Sequence, residues 1–333
     1  MIDKLLWFPT NKCLIGGSWT LPQTKNEINL INPSDGKVLG NIARGSAEDT
    51  ESAVSSAKNA LQTDWGRTTA VERGRYLTVM AKLVMKYSNK LSILESLDVG
   101  KPLSQAKKDV TALARYLEFY GGAADKIHGT TIPFYNDFTV YGIREPLGVT
   151  AHIIPWNYPM QIIGRSVSAS LAMGNACILK PSEEACLTAL AFGEIAREAH
   201  LPSGALNIVP GLGSEAGHAL ASNRGVAHIS FTGSAKTGTL VQTSAAQNIV
   251  ATTLELGGKS PQIVFEDANL DMAIPILVNA GIQNAGQTCS ASSRILVQKK
   301  VYPTVLKKMR EIYRYLRVGP AIEDLDLGPV ISM

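Results

Sequence analysis

Five short apolar segments, rich in β-branched residues, alternate with helical stretches between residues 149 and 258. The strand-like segments are 149–156, 176–180, 205–211, 226–234 and 249–258, and the helical stretches between them lie near 159–173, 183–199, 214–222 and 235–246. Continuous apolar strands separated by helices of this length are typical of a parallel sheet covered on both faces. The sequence therefore predicts an α/β fold that binds ligands at the carboxyl ends of its strands.

The flanking regions contain further strands and helices. Before the sheet we expect, in order, a strand pair within 12–43, a helix capped by Ser46, helices within 70–90 and 103–127 separated by Gly100 and Pro102, and an extended arm at 138–149. A new region begins near Gly257, with strands at 260–267 and 293–298 and helices at 270–285 and 302–316. This last region is a small α/β unit of only about 75 residues.

Composition excludes several classes of protein. Apolar residues make up 45% of the 333 residues and charged residues 18%, which is ordinary for a globular chain. The 32 basic residues are scattered, so we expect no nucleic-acid partner. The N-terminus lacks a secretory signal and no run of about 18 apolar residues occurs. We therefore expect no membrane segment and a cytoplasmic location. The four cysteines lack the paired spacing of zinc sites or disulfide frameworks, so we expect no metal.

Cys289 is the candidate nucleophile. It lies in GQTCSASSR (286–294), where small and polar residues between a helix and a strand leave a thiol open to substrate and nearby N–H groups can stabilise its thiolate. Taken alone, a single cysteine is more often a small structural residue. We assign that structural role to Cys13, Cys177 and Cys186, because Cys177 lies inside an apolar strand and Cys186 in the first turns of a helix.

Two polar residues at strand ends are candidates for the rest of the chemistry. Glu255, in LELGGKSP (254–261), ends an otherwise apolar strand, and a carboxylate in apolar surroundings suits a general base. Asn157, in PWNYP (155–159), is held between prolines, so its amide can be directed at an oxyanion. The alternatives are a surface glutamate and an ordinary Asn/Pro turn, and both stay open on these segments alone.

Three further residues are candidates for binding a nucleotide. Lys180 and Glu183, in KPSE (180–183), end the second strand, where both can reach a ribose and Glu183 would repel a 2′-phosphate. Ser234, in FTGS (231–234), precedes a helix whose N-terminus can hold a pyrophosphate. GLGSEAG (211–217) is a weak signal, since its last glycine is one position late for a dinucleotide fingerprint.

Together these motifs resemble the NAD(P)-dependent aldehyde dehydrogenase family. PWN, KPSE, FTGS, LELGGKSP and GQTCSASSR occur in its order and spacing, and NPSDGKVLG, GKPLSQAKKDV and REPLGV also look like it, from about residue 13 onward. The general pattern resembles broad-specificity and betaine-aldehyde-type members. The resemblance implies a Rossmann-like parallel-sheet domain for NAD at 1–125 and 146–256. It also implies a hairpin arm for oligomerisation at 126–145 and a partial α/β catalytic domain at 257–333.

The resemblance also implies a mechanism. Cys289 adds to an aldehyde, Asn157 and the Cys289 N–H stabilise the oxyanion, hydride passes to the nicotinamide, and Glu255 activates water that hydrolyses the thioester. Trp156 would lie beside the adenosine, Lys180 and Glu183 at its ribose, and Ser234 at the pyrophosphate. Glu183 favours NAD over NADP, and Glu255 favours hydrolysis over transfer to coenzyme A.

The resemblance departs from the family at the C-terminus. Family chains continue well over a hundred residues past LGPVIS, through a glutamate that binds the nicotinamide ribose and the last strand used in oligomerisation. An active aldehyde dehydrogenase and an inactive remnant that at most binds NAD are therefore both open, as is homo-oligomerisation. A cysteine hydrolase is disfavoured, because no histidine is placed to serve the thiol and His152 lies within a strand.

Overall fold

The computed structural model describes residues 2–332. The strands are β1 (Cys13–Ile15), β2 (Ser18–Thr20), β3 (Glu27–Ile31), β4 (Val38–Ala43), β5 (Thr130–Ile132), β6 (Val140–Gly142), β7 (Val149–Ile153), β8 (Ala176–Lys180), β9 (Leu206–Ile208), β10 (His228–Gly233), β11 (Ala251–Leu256), β12 (Ser260–Val264) and β13 (Ser292–Val297). The helices are α1 (Ala47–Gln62), α2 (Asp64–Arg67), α3 (Ala70–Lys86), α4 (Ser88–Val99), α5 (Leu103–Ala123), α6 (Pro159–Ala172), α7 (Leu187–Glu198), α8 (His218–Ala221), α9 (Ala235–Ala246), α10 (Leu270–Ile282) and α11 (Tyr302–Tyr313).

A seven-stranded sheet with the order β11-β10-β7-β8-β9-β1-β2 forms the centre of the molecule. Strands β11, β10, β7, β8 and β9 are parallel, which confirms the predicted parallel sheet, and β1 and β2 extend it in antiparallel fashion. The chain proceeds outward from β7 through β8 to β9, then returns to place β10 and β11 on the other side of β7. The strand order therefore reverses between β7 and β10, which is where open α/β sheets bind their ligands.

The sheet is buried where helices cover it. Every residue of β7 and β8 is buried, as expected for central parallel strands, whereas β11 is an edge strand and no residue in it is fully buried. Right-handed crossovers put the helices that follow the reversal on the opposite face from α6 and α7. The main hydrophobic core therefore lies around β7, β8 and β9, and β11 faces solvent along much of its length.

Local sequence signals set most of the helix ends. Ser46 caps α1 in a capping box with Asp49, as the sequence predicts. Gly100 ends α4 in the left-handed conformation and Pro102 precedes α5, which confirms the predicted break. The helix predicted at 270–285 instead ends at Ile282, because Asn284 and Ala285 adopt positive φ angles of 48° and 55°.

Two other helices differ from prediction because tertiary contacts override local pattern. The helix expected from 183 begins at Leu187, whose N–H donates to Asp98 Oδ2 at 2.8 Å, so the side-chain carboxyl group of a residue in α4 caps it. The helix expected at 214–222 is a π-helical turn, Gly213–Gly217, followed by one turn of α8. Neither difference changes the parallel sheet.

Residues after β11 form a smaller core of their own. Parallel strands β12 and β13 pack with α10 and α11 around Val264, Ile274, Leu277, Val278, Val305 and Met309. The other face of this strand pair exposes Ile263, Phe265 and Leu296, as expected for uncovered apolar faces. The domain boundaries given above stay predictions, and so does an oligomerisation role for the β5–β6 hairpin. Within residues 2–332, no helix has both the length and the apolar character needed to cross a bilayer.

Candidate active site

A cleft of about 730 Å³ opens at the reversal of strand order, between the carboxyl ends of β7, β10 and β11 and the loop before β13. Of the seven residues that the sequence singles out, five line this cleft: Trp156, Asn157, Ser234, Glu255 and Cys289. The strands bring them together because carboxyl ends of parallel strands share one edge of the sheet. The other two, Lys180 and Glu183, lie outside the lining, at the end of the adjacent strand β8.

Asn157 is fixed in the turn after β7. Its Nδ2 donates to the carbonyl of Gln287 at 2.9 Å, and its own carbonyl accepts from Asn284 Nδ2 at 3.3 Å. A primary amide carries two donor hydrogens, so one N–H remains beyond the bond to Gln287. Among the hydrogen bonds of residues 2–332, that Nδ2 makes none other than the bond to Gln287. The turn therefore presents a held amide to the cleft and ties it to the loop of Cys289.

Cys289 is exposed, whereas Cys13, Cys177 and Cys186 are buried, as the sequence predicts. Burial raises the pKa of all three buried thiols, that of Cys177 to about 11. These three thiols stay protonated near neutral pH and inaccessible to reagents. Only the thiol of Cys289 is open to a substrate within the part of the chain that the structure describes.

The loop that carries Cys289 is held by Gln287. Gln287 Nε2 donates to the carbonyl of Asn284 at 2.9 Å, and Gln287 Oε1 accepts from the N–H of Ile331 at 2.9 Å. Asn284 is buried, and its own N–H donates to Gln105 Oε1 of α5 at 3.0 Å. The nucleophile loop is thus connected to α5, to the Asn157 turn and to the segment near Ile331.

Glu255 lies near the carboxyl end of β11, paired in register with Thr232 of β10. Its side chain is exposed, so the apolar surroundings expected from the sequence are not present around it. The physical reason is that β11 is the edge strand of the sheet. Glu255 also borders a second groove of about 370 Å³, which is lined by His152, Arg165 and His228 among others.

Lys180 and Glu183 form an ion pair beside the cleft. Lys180 Nζ lies 2.9 Å from Glu183 Oε2, and Glu183 Oε1 accepts from the N–H of Gly213 at 3.3 Å. Burial opposes the ionisation of Glu183, but the charge of Lys180 and these hydrogen bonds outweigh it and lower its pKa. The weak GLGSEAG signal therefore has a structural role, since its π-helical turn holds the carboxylate of Glu183.

Ser234 caps α9 at the end of β10. Its Oγ accepts from the N–H of Thr237 at 3.1 Å, and the 12-residue helix directs its first N–H groups toward the cleft edge. Such a terminus favours an anionic group. A dinucleotide fits these residues: an anion-binding helix end stands at the strand-order reversal, and an ionised carboxylate held beside a lysine is one strand away.

Sequence reasoning missed four residues that line the cleft or contact its lining: Tyr158, Gln287, Asn284 and Lys101. Tyr158 and Gln287 line the cleft directly. The signal for both was their place inside PWNYP and GQTC, next to the residues that were chosen. Asn284 and Lys101 are buried, which no local pattern in the sequence reveals.

Comparison with known proteins gives consistent results. Residues 19–333 match the profile of the aldehyde dehydrogenase family. Aminoaldehyde dehydrogenase 2 of Solanum lycopersicum is 41% identical over 97% of this chain. Since the match covers 66% of that relative, the chain spans just under two thirds of its length.

Solved structures resemble the chain over nearly its whole length. A putative aldehyde dehydrogenase from Burkholderia cenocepacia is 55% identical, with a TM-score of 0.96 over 96% of this chain and 68% of that one. Betaine aldehyde dehydrogenase from Staphylococcus aureus, solved in complex with NAD+, is 33% identical, with a TM-score of 0.97 over 100% of this chain and 66% of that one. The fold and the family are therefore those that the sequence motifs predict.

Proposed function

Because this chain belongs to the aldehyde dehydrogenase family, we propose that it is an oxidoreductase that converts an aldehyde to a carboxylic acid with NAD, using Cys289 as the nucleophile. The observation that carries the proposal is the shared cleft: the one exposed thiol of residues 2–332, a held amide and a carboxylate line the same cavity. A nucleophile, an oxyanion donor and a base are the groups that oxidation through an acyl-enzyme requires.

The first step is the addition of the thiol to the aldehyde. The thiol of Cys289 first loses its proton to solvent; the thiolate Sγ then forms a bond to the carbonyl carbon, and the C=O π bond breaks to leave an oxyanion. The remaining N–H of Asn157, which the bond to Gln287 orients, and the backbone N–H of Cys289 stabilise that charge. The product is a thiohemiacetal on Cys289.

The second step releases the acid. Loss of hydride from the thiohemiacetal carbon leaves a thioester on Cys289, and water then attacks the thioester carbonyl. Glu255 accepts a proton from that water, so the acid is released and the thiol is regenerated. Exposure of Glu255 gives it direct access to water, and Glu255 lines the same cleft as Cys289.

NAD, when bound, supplies the hydride acceptor. Trp156 would lie beside the adenosine, Lys180 and Glu183 would hold its ribose hydroxyls, and Ser234 with the α9 N-terminus would hold the pyrophosphate. The ionised Glu183 supports NAD over NADP, since it repels a 2′-phosphate. A small aldehyde of betaine or amino type is the proposed substrate class, by similarity to the relatives named above. A cytoplasmic location and a homo-oligomeric state stay predictions.

The test uses purified protein of confirmed mass, with NAD and a panel of small aldehydes, followed by the absorbance of NADH. We expect turnover in the wild type and a loss of at least about 10³-fold in Cys289→Ser. In Glu255→Gln we expect one equivalent of NADH per chain and then arrest, because hydride transfer precedes hydrolysis. Glu266→Gln, at an exposed glutamate two residues beyond β12, is the matched control and should turn over normally.

One result would overturn the proposal in favour of its alternative. A folded wild type that binds NAD but produces no NADH from any aldehyde would identify the chain as an inactive remnant. The exposed apolar face of β12 and β13 is the feature that favours this alternative. Cofactor binding is therefore measured by calorimetry on the same sample, so that inactivity and misfolding are told apart.

A further inference from the structure

A buried ammonium group lies beneath the cleft, and the proposed chemistry does not use it. Lys101, in the break between α4 and α5, has a side chain that is 0% exposed. Its Nζ lies 3.2 Å from Glu95 Oε1 and is also bonded to Asp109 Oδ2. Burying three ionisable groups costs several kcal/mol per ion, and an apolar core of the same volume is often as stable. Stability alone therefore gives no reason for this arrangement.

The cation also contacts the wall of the cleft. Lys101 Nζ lies 3.9 Å from the centre of the Tyr158 ring, which is a cation–π contact shielded from water. Tyr158 directly follows Asn157 and lines the same cleft as Cys289. Burial raises the pKa of Tyr158 to about 12, with Lys101 opposing the rise and Asp109 and Cys289 adding to it. Lys101 thus touches the residue next to the oxyanion donor.

The ammonium group is itself fixed from several helices. Asp109 of α5 accepts from Gln161 Nε2 of α6 at 2.5 Å through its other oxygen. Glu95 of α4 accepts from Thr188 Oγ1 of α7 at 2.8 Å. Four helices therefore determine where the charge of Lys101 lies, and Pro155 and Pro159 restrict the turn on either side of Asn157. Within this turn, the side-chain orientation of Tyr158 is what the prolines leave free and what the contact with Lys101 can fix.

We propose that Lys101 is a positioning residue: its buried cation holds the ring of Tyr158 and so fixes the turn that presents the Asn157 amide to the thiol of Cys289. The inference rests on the proposed function for its effect on catalysis. Its effect on the turn itself does not depend on turnover. Misplacement of an oxyanion donor by about 1 Å can cost about 100-fold in rate.

The experiment compares Lys101→Met, Tyr158→Leu and Tyr158→Phe in the full chain. Phenylalanine keeps the aromatic face and leucine removes it, so we expect kcat to fall about 10- to 100-fold in Lys101→Met and Tyr158→Leu and to stay within about 3-fold in Tyr158→Phe. NAD affinity should be unchanged. Because Lys101 acts through the ring, adding Lys101→Met to Tyr158→Leu should cause no further loss in a double-mutant cycle.

A second readout needs no aldehyde turnover. Hydrogen exchange, followed by mass spectrometry, should be faster across 154–162 in Lys101→Met and Tyr158→Leu and unchanged in Tyr158→Phe. The matched control is Asn207→Ala in β9, which loses buried hydrogen bonds to Gly204 and Gly16 and lies outside the Lys101 network. It should lower the melting temperature while leaving exchange across 154–162 and kcat unchanged.

The outcomes separate the two proposals. Faster exchange across 154–162 in Lys101→Met and Tyr158→Leu, together with an inactive wild type, would support the positioning role and contradict the proposed dehydrogenase activity. Wild-type exchange across 154–162 in a folded Lys101→Met, or equal rates for the two Tyr158 variants, would overturn the positioning role whatever the activity. If Lys101→Met does not fold, the Tyr158 pair decides, since neither variant leaves a buried carboxylate without its cation.

Discussion

In the proposed function, Glu183 binds the ribose of the dinucleotide. The nearby charge of Lys180 and the N–H of Gly213 lower the pKa of its carboxyl below 4.5, against the opposing effect of burial. The carboxylate is therefore ionised throughout the neutral range. In that form it accepts from ribose hydroxyls and repels a 2′-phosphate.

We expect Glu183→Gln to raise the ratio of NADP affinity to NAD affinity by about tenfold or more, because the repulsion is removed while Lys180 stays to bind a phosphate. Calorimetry with both cofactors measures the ratio. For the wild type, NAD affinity should be constant across the neutral range and weaken only at acid pH, below the usual range for a glutamate, as Glu183 becomes protonated. Glu184→Gln is the control, and an equal change in both variants would contradict the assignment.

For individual residues, the sequence predicted which side chains are candidates for the site but not always what surrounds them in the fold. The burial or exposure of the cysteines could be predicted, because an apolar strand around Cys177 and small polar residues around Cys289 are local properties. The exposure of Glu255 could not be predicted. It depends on β11 being the edge strand, which is decided by strands far away in the sequence.

Among the secondary-structure elements, the turn between α10 and the nucleophile loop carries backbone strain. Asn284 and Ala285 have φ angles of 48° and 55°, and Gly286 follows at 78°. Asparagine tolerates the left-handed region, but an alanine there destabilises the fold by about 1 kcal/mol or more. The strained residues immediately precede Gln287, which orients Asn157.

We expect Ala285→Gly to leave the free energy of unfolding unchanged or to raise it by up to about 1 kcal/mol, since glycine removes the left-handed strain. Urea unfolding measures the effect. The matched control is Gly286→Ala, where a Cβ would also come within 3.4 Å of the Gly281 carbonyl. It should lose about 1–2 kcal/mol. A clear loss of stability in Ala285→Gly would show that the left-handed geometry is not strained.

Helix boundaries show which signals are local. The start of α1 could be predicted because Ser46 and Asp49 cap each other within four residues. The start of α7 could not, because its cap is Asp98, 89 residues earlier in the chain. The end of α10 could not either, since a left-handed turn at Ala285 has no sequence signature of its own.

For the whole molecule, the alternation of strands and helices predicts the parallel sheet but not its order. That order puts the ends of β7 and β10 side by side, and this adjacency makes the cleft. Residues from four separate segments can then share one cavity. The buried charges beneath it are equally invisible in sequence, because Lys101 and Asp98 resemble ordinary surface residues until the helices pack.

Asp98 gives the stability of the whole chain a pH dependence. Its Oδ2 accepts from Leu187, while its Oδ1 has no partner among the described residues. Burial raises its pKa to about 8, against the hydrogen bond from Leu187 and with help from the charge of Glu95. The folded state therefore holds a proton that the unfolded state releases near pH 4. This contribution to stability is complete below pH 4 and is lost as the pH rises through 8.

We expect Asp98→Asn, which mimics the protonated side chain, to remove this loss. The unfolding free energy of the variant minus that of the wild type should increase from pH 5 to pH 8, by at most about 1.4 kcal/mol per pH unit. His152, whose pKa burial lowers to about 3, titrates in both proteins and cancels in the difference. The charge of Glu95 raises the pKa of Asp98, so the difference also contains the interaction between these two carboxyl groups. Urea unfolding at four pH values measures it, with exposed Asp137→Asn as control. Parallel curves for wild type and Asp98→Asn would mean that Asp98 is already ionised in the folded chain.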